Sequence, residues 1–118
     1  MLVAADVERI MKEIPNLTAN GIEPLIAPKF EESRNELRTF LPQVQYVAAC
    51  LEKHFRPGEL SCSSYALKHE VERISREEND YTYISNGAFI AGAILSGYSP
   101  RVDLNFINVM FKITRREP

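Results

Sequence analysis

Twenty consecutive residues, Tyr81 to Pro100, carry no charged side chain, and this run constrains the fold more than any other feature of the chain. Its apolar centre, Ala88 to Leu95, is eight residues long, is broken by Gly92, and is flanked by Asn86, Gly87 and Gly97. A bilayer span requires about twenty predominantly apolar residues, so the run predicts a buried helix and not a membrane segment. Ser85 or Asn86 supplies the amino cap, and Gly97 the left-handed residue that ends the helix. Because this helix, residues 86–97, is apolar nearly all round, it belongs at the centre of the core. A chain of 118 residues builds one such core, burying about two thirds of its unfolded surface.

The other elements must pack around it. Val3, Val7, Ile10, Met11 and Ile14 recur at spacings of three and four, predicting an amphipathic helix over 3–14 that Pro15 ends. Between Pro15 and Pro28, three prolines and the Asn20-Gly21 pair predict a loop or arm, which either packs through Leu25 and Ile26 or tethers the first helix loosely. Phe30, Leu37 and Phe40 mark a weak helix over 30–40, with Glu31 and Glu32 favourably near its amino end. A better helix, 42–55, opens on Pro42 and carries the stripe Val44, Val47, Ala48, Leu51 and Phe55, until Arg56-Pro57-Gly58 stops it. Ser61, Ser63 and Ser64 offer caps for a further helix through Arg76, with Leu67, Val71 and Ile74 on its apolar face.

Tyr81 to Ile84 has strand-like composition. The clearest strand comes later, where Ile107, Val109, Phe111 and Ile113 alternate with Asn108, Met110, Lys112 and Thr114. A lone strand cannot satisfy its backbone, so its partner is sought in 81–84, 102–106, the 23–27 arm, or the same strand of a second subunit. The expected fold class is α+β: a mostly helical single domain over 1–118 with a C-terminal β-strand. Residues 1–28 would form an N-terminal helix and Pro-rich arm, and 29–118 the core. A helix-turn-helix-like pairing of 63–76 with 86–97, followed by a short sheet, fits the same order of elements. A homodimer is an open option.

Composition narrows the function classes. With 45% apolar and 25% charged residues the chain is neither collagen-like nor low-complexity. The net charge of −2 gives no strong generic attraction to phosphate polymers, and Lys112-Ile113-Thr114-Arg115-Arg116 is the one local excess of positive charge. Two cysteines are too few for the disulfide framework of a small secreted domain, and the amino terminus meets acid at Asp6 and Glu8 without a basic region. A cytoplasmic location is expected.

Catalytic patterns are weak. Cys50, His54, Cys62 and His69 lie within twenty residues, and the first two share a helical face as two zinc ligands would. Cys62 and His69, however, lie about 10 Å apart along a helical axis, so a free cysteine beside helix-surface histidines is the plainer reading, and no metal or cofactor is expected. Cys62 and the neighbouring serines have no general base at a readable spacing, and phosphate-cradling glycine loops are absent. The chain does not read as an enzyme.

Ser63-Ser-Tyr-Ala-Leu-Lys-His69-Glu-Val-Glu72, followed by Tyr83-Ile-Ser-Asn-Gly-Ala-Phe-Ile-Ala-Gly-Ala93 and Gly97-Tyr98, forms a recognisable pattern. Over residues 61–113 the chain resembles small uncharacterised bacterial proteins of plasmids, prophages and similar mobile elements, which share SSYxLKHxxE…SNGxFIxAA…GY ahead of a terminal strand. The resemblance implies a bacterial, cytoplasmic accessory protein and brings no activity or catalytic residues. A non-catalytic nucleic-acid-binding module is the first expectation, with DNA contacted by Lys68, His69, Arg73, Arg76, Arg101, Lys112, Arg115 and Arg116. The second is a protein-binding factor, such as an inhibitor of a host or defence enzyme, using the acidic surface of residues 1–80 and the proline-rich arm.

Overall fold

In the computed structural model, residues 1–80 and 82–117 are described. In chain order their elements are α1 (Ala4–Glu13), β1 (Leu17–Thr18), β2 (Gly21–Ile22), α2 (Phe30–Arg38), α3 (Leu41–His54), β3 (Phe55–Ser63), α4 (Ser64–Glu77), α5 (Asn86–Leu95) and β4 (Met110–Arg115). β1 pairs with β2, and β3 with β4, both antiparallel. The class is α+β, as the patterning predicts.

The uncharged run is the centre of the structure. Asn86 through Ala93 are all buried on α5, and the Ser85 hydroxyl caps the helix by accepting the Ala88 N–H at 3.0 Å. Two glycines let other elements approach it. The Gly87 N–H donates to the Ala19 carbonyl at 2.9 Å, and a Cβ at Gly87 would fall 1.9 Å from the Thr18 oxygen. A Cβ at Gly92 would fall 2.6 Å from Val47 Cγ1. The hairpin β1–β2 and helix α3 therefore sit closer to α5 than any residue with a side chain would allow.

The 15–28 segment contributes to the core, but through other residues than expected. Leu17, Thr18, Ala19 and Ile22 are buried, whereas Leu25 and Ile26 are exposed. The reason is the tight hairpin turning at Ala19-Asn20, which folds the first half of the segment onto α5 and turns the second half outward. Val7, Ile10 and Met11 of α1 join the same cluster as Val47, Phe89 and Phe111, so residues 1–28 belong to one core with the rest.

The partner of the terminal strand is β3, which was not among the expected candidates. Phe55 faces Arg115, and Cys62 faces Phe111, with an irregularity between Pro57 and Cys62. Pro57 and Gly58 disguise this strand, and the irregularity removes the alternation that would reveal it. β4 thus finds a strand partner within the chain, in a sheet of two strands. The strand also starts later than the alternation suggests: Ile107 is exposed and outside it, while Phe111 and Ile113 point into the core. Thr82–Ile84 is neither strand nor helix, and Tyr81 lies outside the described residues. The eight residues 78–85 between α4 and α5 exceed the turn of about three or four residues that joins a helix-turn-helix pair. Among the described residues no helix is long and apolar enough to cross a membrane.

The glycine contacts predict a graded series in urea unfolding. Gly87→Ala meets rigid backbone and should cost about 3 kcal/mol, and Gly92→Ala, which meets the Val47 side chain, about 1–2 kcal/mol. Gly97→Ala adds only the strain of φ +97° in open space, about 1 kcal/mol. Equal losses at all three positions would contradict the packing.

Candidate functional site

One side of α4 carries Tyr65, Lys68 and Glu72 at helical spacings of three and four. Lys68 is only 6% exposed. Its Nζ lies 3.3 Å from Glu72 Oε1, 5.4 Å from the centre of the Tyr65 ring and 5.3 Å from that of Tyr83. A buried ammonium persists when it is paired and held by electron-rich faces, and this one has both. Glu72 is shared further: Oε1 lies 3.0 Å from His69 Nδ1, and Oε2 accepts the Ile84 N–H at 3.1 Å. That last bond, with Thr82 N–H to Ser75 Oγ at 2.6 Å, straps the 82–84 segment onto α4 and brings Tyr83 over Lys68.

Beyond Lys68 the amino end of α5 meets the hairpin and the segment before β4. Asn86 Nδ2 donates to the Asn20 carbonyl at 3.0 Å and to Asn108 Oδ1 at 2.9 Å, and Ile22 N–H donates to the Ile107 carbonyl at 2.8 Å. Asn86 is 8% exposed, and its Oδ1 is the buried side-chain oxygen or nitrogen without a hydrogen-bond partner among the described residues. Tyr65, Lys68, Tyr83, Ser85, Asn86 and Asn108 line a hollow of about 600 Å³. At Ile107 and Asn108 it meets a second hollow of about 650 Å³, bordered by Arg101, Val102, Leu104 and Phe106. Leu104 and Phe106 are 63% and 66% exposed, a concentration of apolar surface beside a polar floor.

The seven cations and one histidine singled out from sequence do not share one open face. Lys68 is buried against Glu72, which His69 also contacts. Arg73 is held by Glu70 and, at 3.0 Å, by Glu77. Arg115 stands 3.6 Å from Glu70 and 5.3 Å over the Phe55 ring. Arg76 is exposed on α4, Lys112 on β4 and Arg116 beyond it, while Arg101 bridges Met110 through its backbone beside the apolar hollow. Lys68, Arg73 and Arg76 are balanced on α4 by Glu70, Glu72 and Glu77. For Lys68, His69 and Arg73 the partners were visible as Glu at three or four residues' distance; the Arg115–Glu70 pair and the asparagines come together only through tertiary packing.

The soft metal-capable side chains are dispersed. Cys50 and His54 lie on α3, Cys62 on β3 and His69 on α4, and among the described residues no group of three or more such ligands could hold a metal ion. His54 Nε2 instead lies 3.2 Å from Glu78, which also takes Lys53 Nζ at 3.2 Å and the Tyr46 hydroxyl at 3.1 Å, clasping α3 to the end of α4. These bonds hold the Glu78 carboxyl below its ordinary pKa. The clasp therefore contributes fully above the usual carboxylate range and is lost only as pH falls below that range, through the lowered Glu78 value. Set against family models, curated protein sequences and solved structures, the chain matches none.

Two measurements check this description. Glu72→Ala leaves Lys68 buried without a partner and should cost about 3 kcal/mol in urea unfolding. Replacing both residues, Lys68→Met with Glu72→Leu, should cost clearly less than the sum of the single losses; additive losses would contradict the pairing. Burial pushes the Cys50 thiol up to about 12. Iodoacetamide should therefore modify native Cys50 at least roughly a hundredfold more slowly than free cysteine at about pH 8, and rapidly after unfolding.

Proposed function

We propose that the chain is a non-catalytic protein-binding factor whose groove, running from Tyr65 and Tyr83 past Asn86 to Leu104 and Phe106, takes an extended segment of a partner protein. The carrying observation is the exposed group Val102, Leu104, Phe106 and Ile107, set against the amide-lined floor of the adjoining hollow. Apolar surface concentrated in one patch beside polar groups marks interaction sites. An extended segment suits the groove because alternate side chains can enter the two adjoining hollows. Of the eight residues expected to meet DNA, Lys68, Arg73 and Arg115 are paired with carboxylates and His69 also contacts one, which favours a protein over a phosphate backbone. An accessory role in a bacterial mobile element, as the sequence resemblance implies, is compatible with this reading.

The test uses a random dodecapeptide phage library panned on the immobilised chain. Selected peptides, measured by fluorescence polarisation, should bind the wild type and lose at least about tenfold in affinity to Leu104→Asp/Phe106→Asp. Both positions are exposed, so circular dichroism should show the fold retained. Peptides that bind the double variant equally well would contradict the proposal. So would a single-stranded or duplex 20-mer bound in their place with steep salt dependence.

A further inference from the structure

Among the asparagines of the chain, Asn20 and Asn86 alone precede a glycine; Asn16, Asn35, Asn79, Asn105 and Asn108 all precede residues with side chains. A glycine nitrogen, with no Cβ beside it, is open to close approach, which makes an Asn-Gly pair the place where a chain cyclises to a succinimide. The fold sets these two pairs against each other. Asn86 Nδ2 donates to the Asn20 carbonyl at 3.0 Å, the Gly87 N–H donates to the Ala19 carbonyl at 2.9 Å, and a Cβ at Gly21 would fall 2.5 Å from Asn86 Nδ2. We infer that the junction of α5 with the hairpin is a paired deamidation site: closed, it shields both asparagines, and once opened it is converted to acids that keep it from closing again.

In the chemical step the Gly21 or Gly87 nitrogen bonds to Cγ of the preceding asparagine. The Cγ–Nδ2 bond breaks, and the proton from the glycine nitrogen leaves with Nδ2 as ammonia. Water then opens the ring at either carbonyl, giving aspartate or, where the main chain now runs through Cγ, isoaspartate. Water is the one co-reactant, and no partner is needed. The closed junction opposes each part of this step. Gly87 must shed a proton that the Ala19 carbonyl holds inside the core, and the Asn86 carboxamide is fixed through bonds to Asn20 and, at 2.9 Å, to Asn108 Oδ1. The Asn20 side chain is exposed, but the main chain on both sides of it is pinned: its N–H donates to Thr18 Oγ1 at 3.1 Å, its carbonyl accepts from Asn86, and Gly21 is buried and paired with Thr18. Ring closure at Asn20 requires that peptide to rotate, and so requires the junction to open.

The products do not fit the closed form. Aspartate at position 86 puts an oxygen where the nitrogen donates to Asn20 and Asn108, so a buried charge faces two acceptors with nothing to donate. Isoaspartate at position 20 adds a methylene to the main chain in the hairpin turn and frees the carbonyl that accepts Asn86 as a carboxylate.

The test incubates the full chain at mildly alkaline pH across a guanidinium chloride series that spans its unfolding transition. Conversion is mapped residue by residue by tryptic digestion and tandem mass spectrometry, and unfolding is followed by circular dichroism. Both asparagines should convert in step with the unfolded fraction, their rates rising together by at least about a hundredfold from native to unfolded chain. Conversion of either one at the unfolded rate in chains that still show the native spectrum would overturn the mutual shielding. Asn86→Asp, which reproduces one product, should unfold at clearly lower guanidinium than the wild type or fail to fold. An unchanged midpoint would overturn the claim that conversion keeps the junction open.

Discussion

The contact between Gly87 and the Thr18–Ala19 backbone is the constraint on which the rest of the structure depends. It places the first turn of α5 directly on the hairpin, with the Gly87 N–H bonded to the Ala19 carbonyl and no room for a Cβ. From that point α5 runs inward against α3, and the neighbouring Asn86 is left spanning Asn20 and Asn108. The buried helix therefore does two things at once. It fills the core, and its amino end builds the floor of the groove from three chain segments far apart in sequence.

Electrostatics on α4 follow from the same packing. Because the 82–84 segment must cross from α4 to α5, its Ile84 N–H needs an acceptor in a buried place, and Glu72 supplies one. A carboxylate there requires compensation, which the Lys68 ammonium provides, with His69 Nδ1 in contact 3.0 Å away. The lysine is thus drawn inside as part of a neutralised network, between two tyrosine rings, instead of standing outside as a contact for phosphate.

The parts of the fold that were legible in the sequence are those in which local pattern and tertiary packing agree. The helices at 4–13, 41–54, 64–77 and 86–95 lie where spacing and caps place them, and Phe111 and Ile113 are buried as their alternation requires. β3 was hidden because Pro57, Gly58 and an irregular register erase the period of two, and the β1–β2 hairpin because two-residue strands carry no period at all. In the candidate site, Lys68 stood out as a charge, but its place between two tyrosine rings depends on Tyr83 arriving from the next segment, while His69 stays exposed. Asn20, Asn86 and Asn108 had no common signal, since only the folded chain brings them together.

The central claim is that α5 and the hairpin form one cooperative unit joined at Gly87. Native-state hydrogen exchange on the Gly87 amide, compared with those of Phe89 to Ala93, tests it most directly. The account predicts that all of them exchange only through global unfolding, with equal opening free energies and equal dependence on denaturant. A Gly87 amide that opens locally, several kcal/mol more easily than the centre of α5, would contradict it.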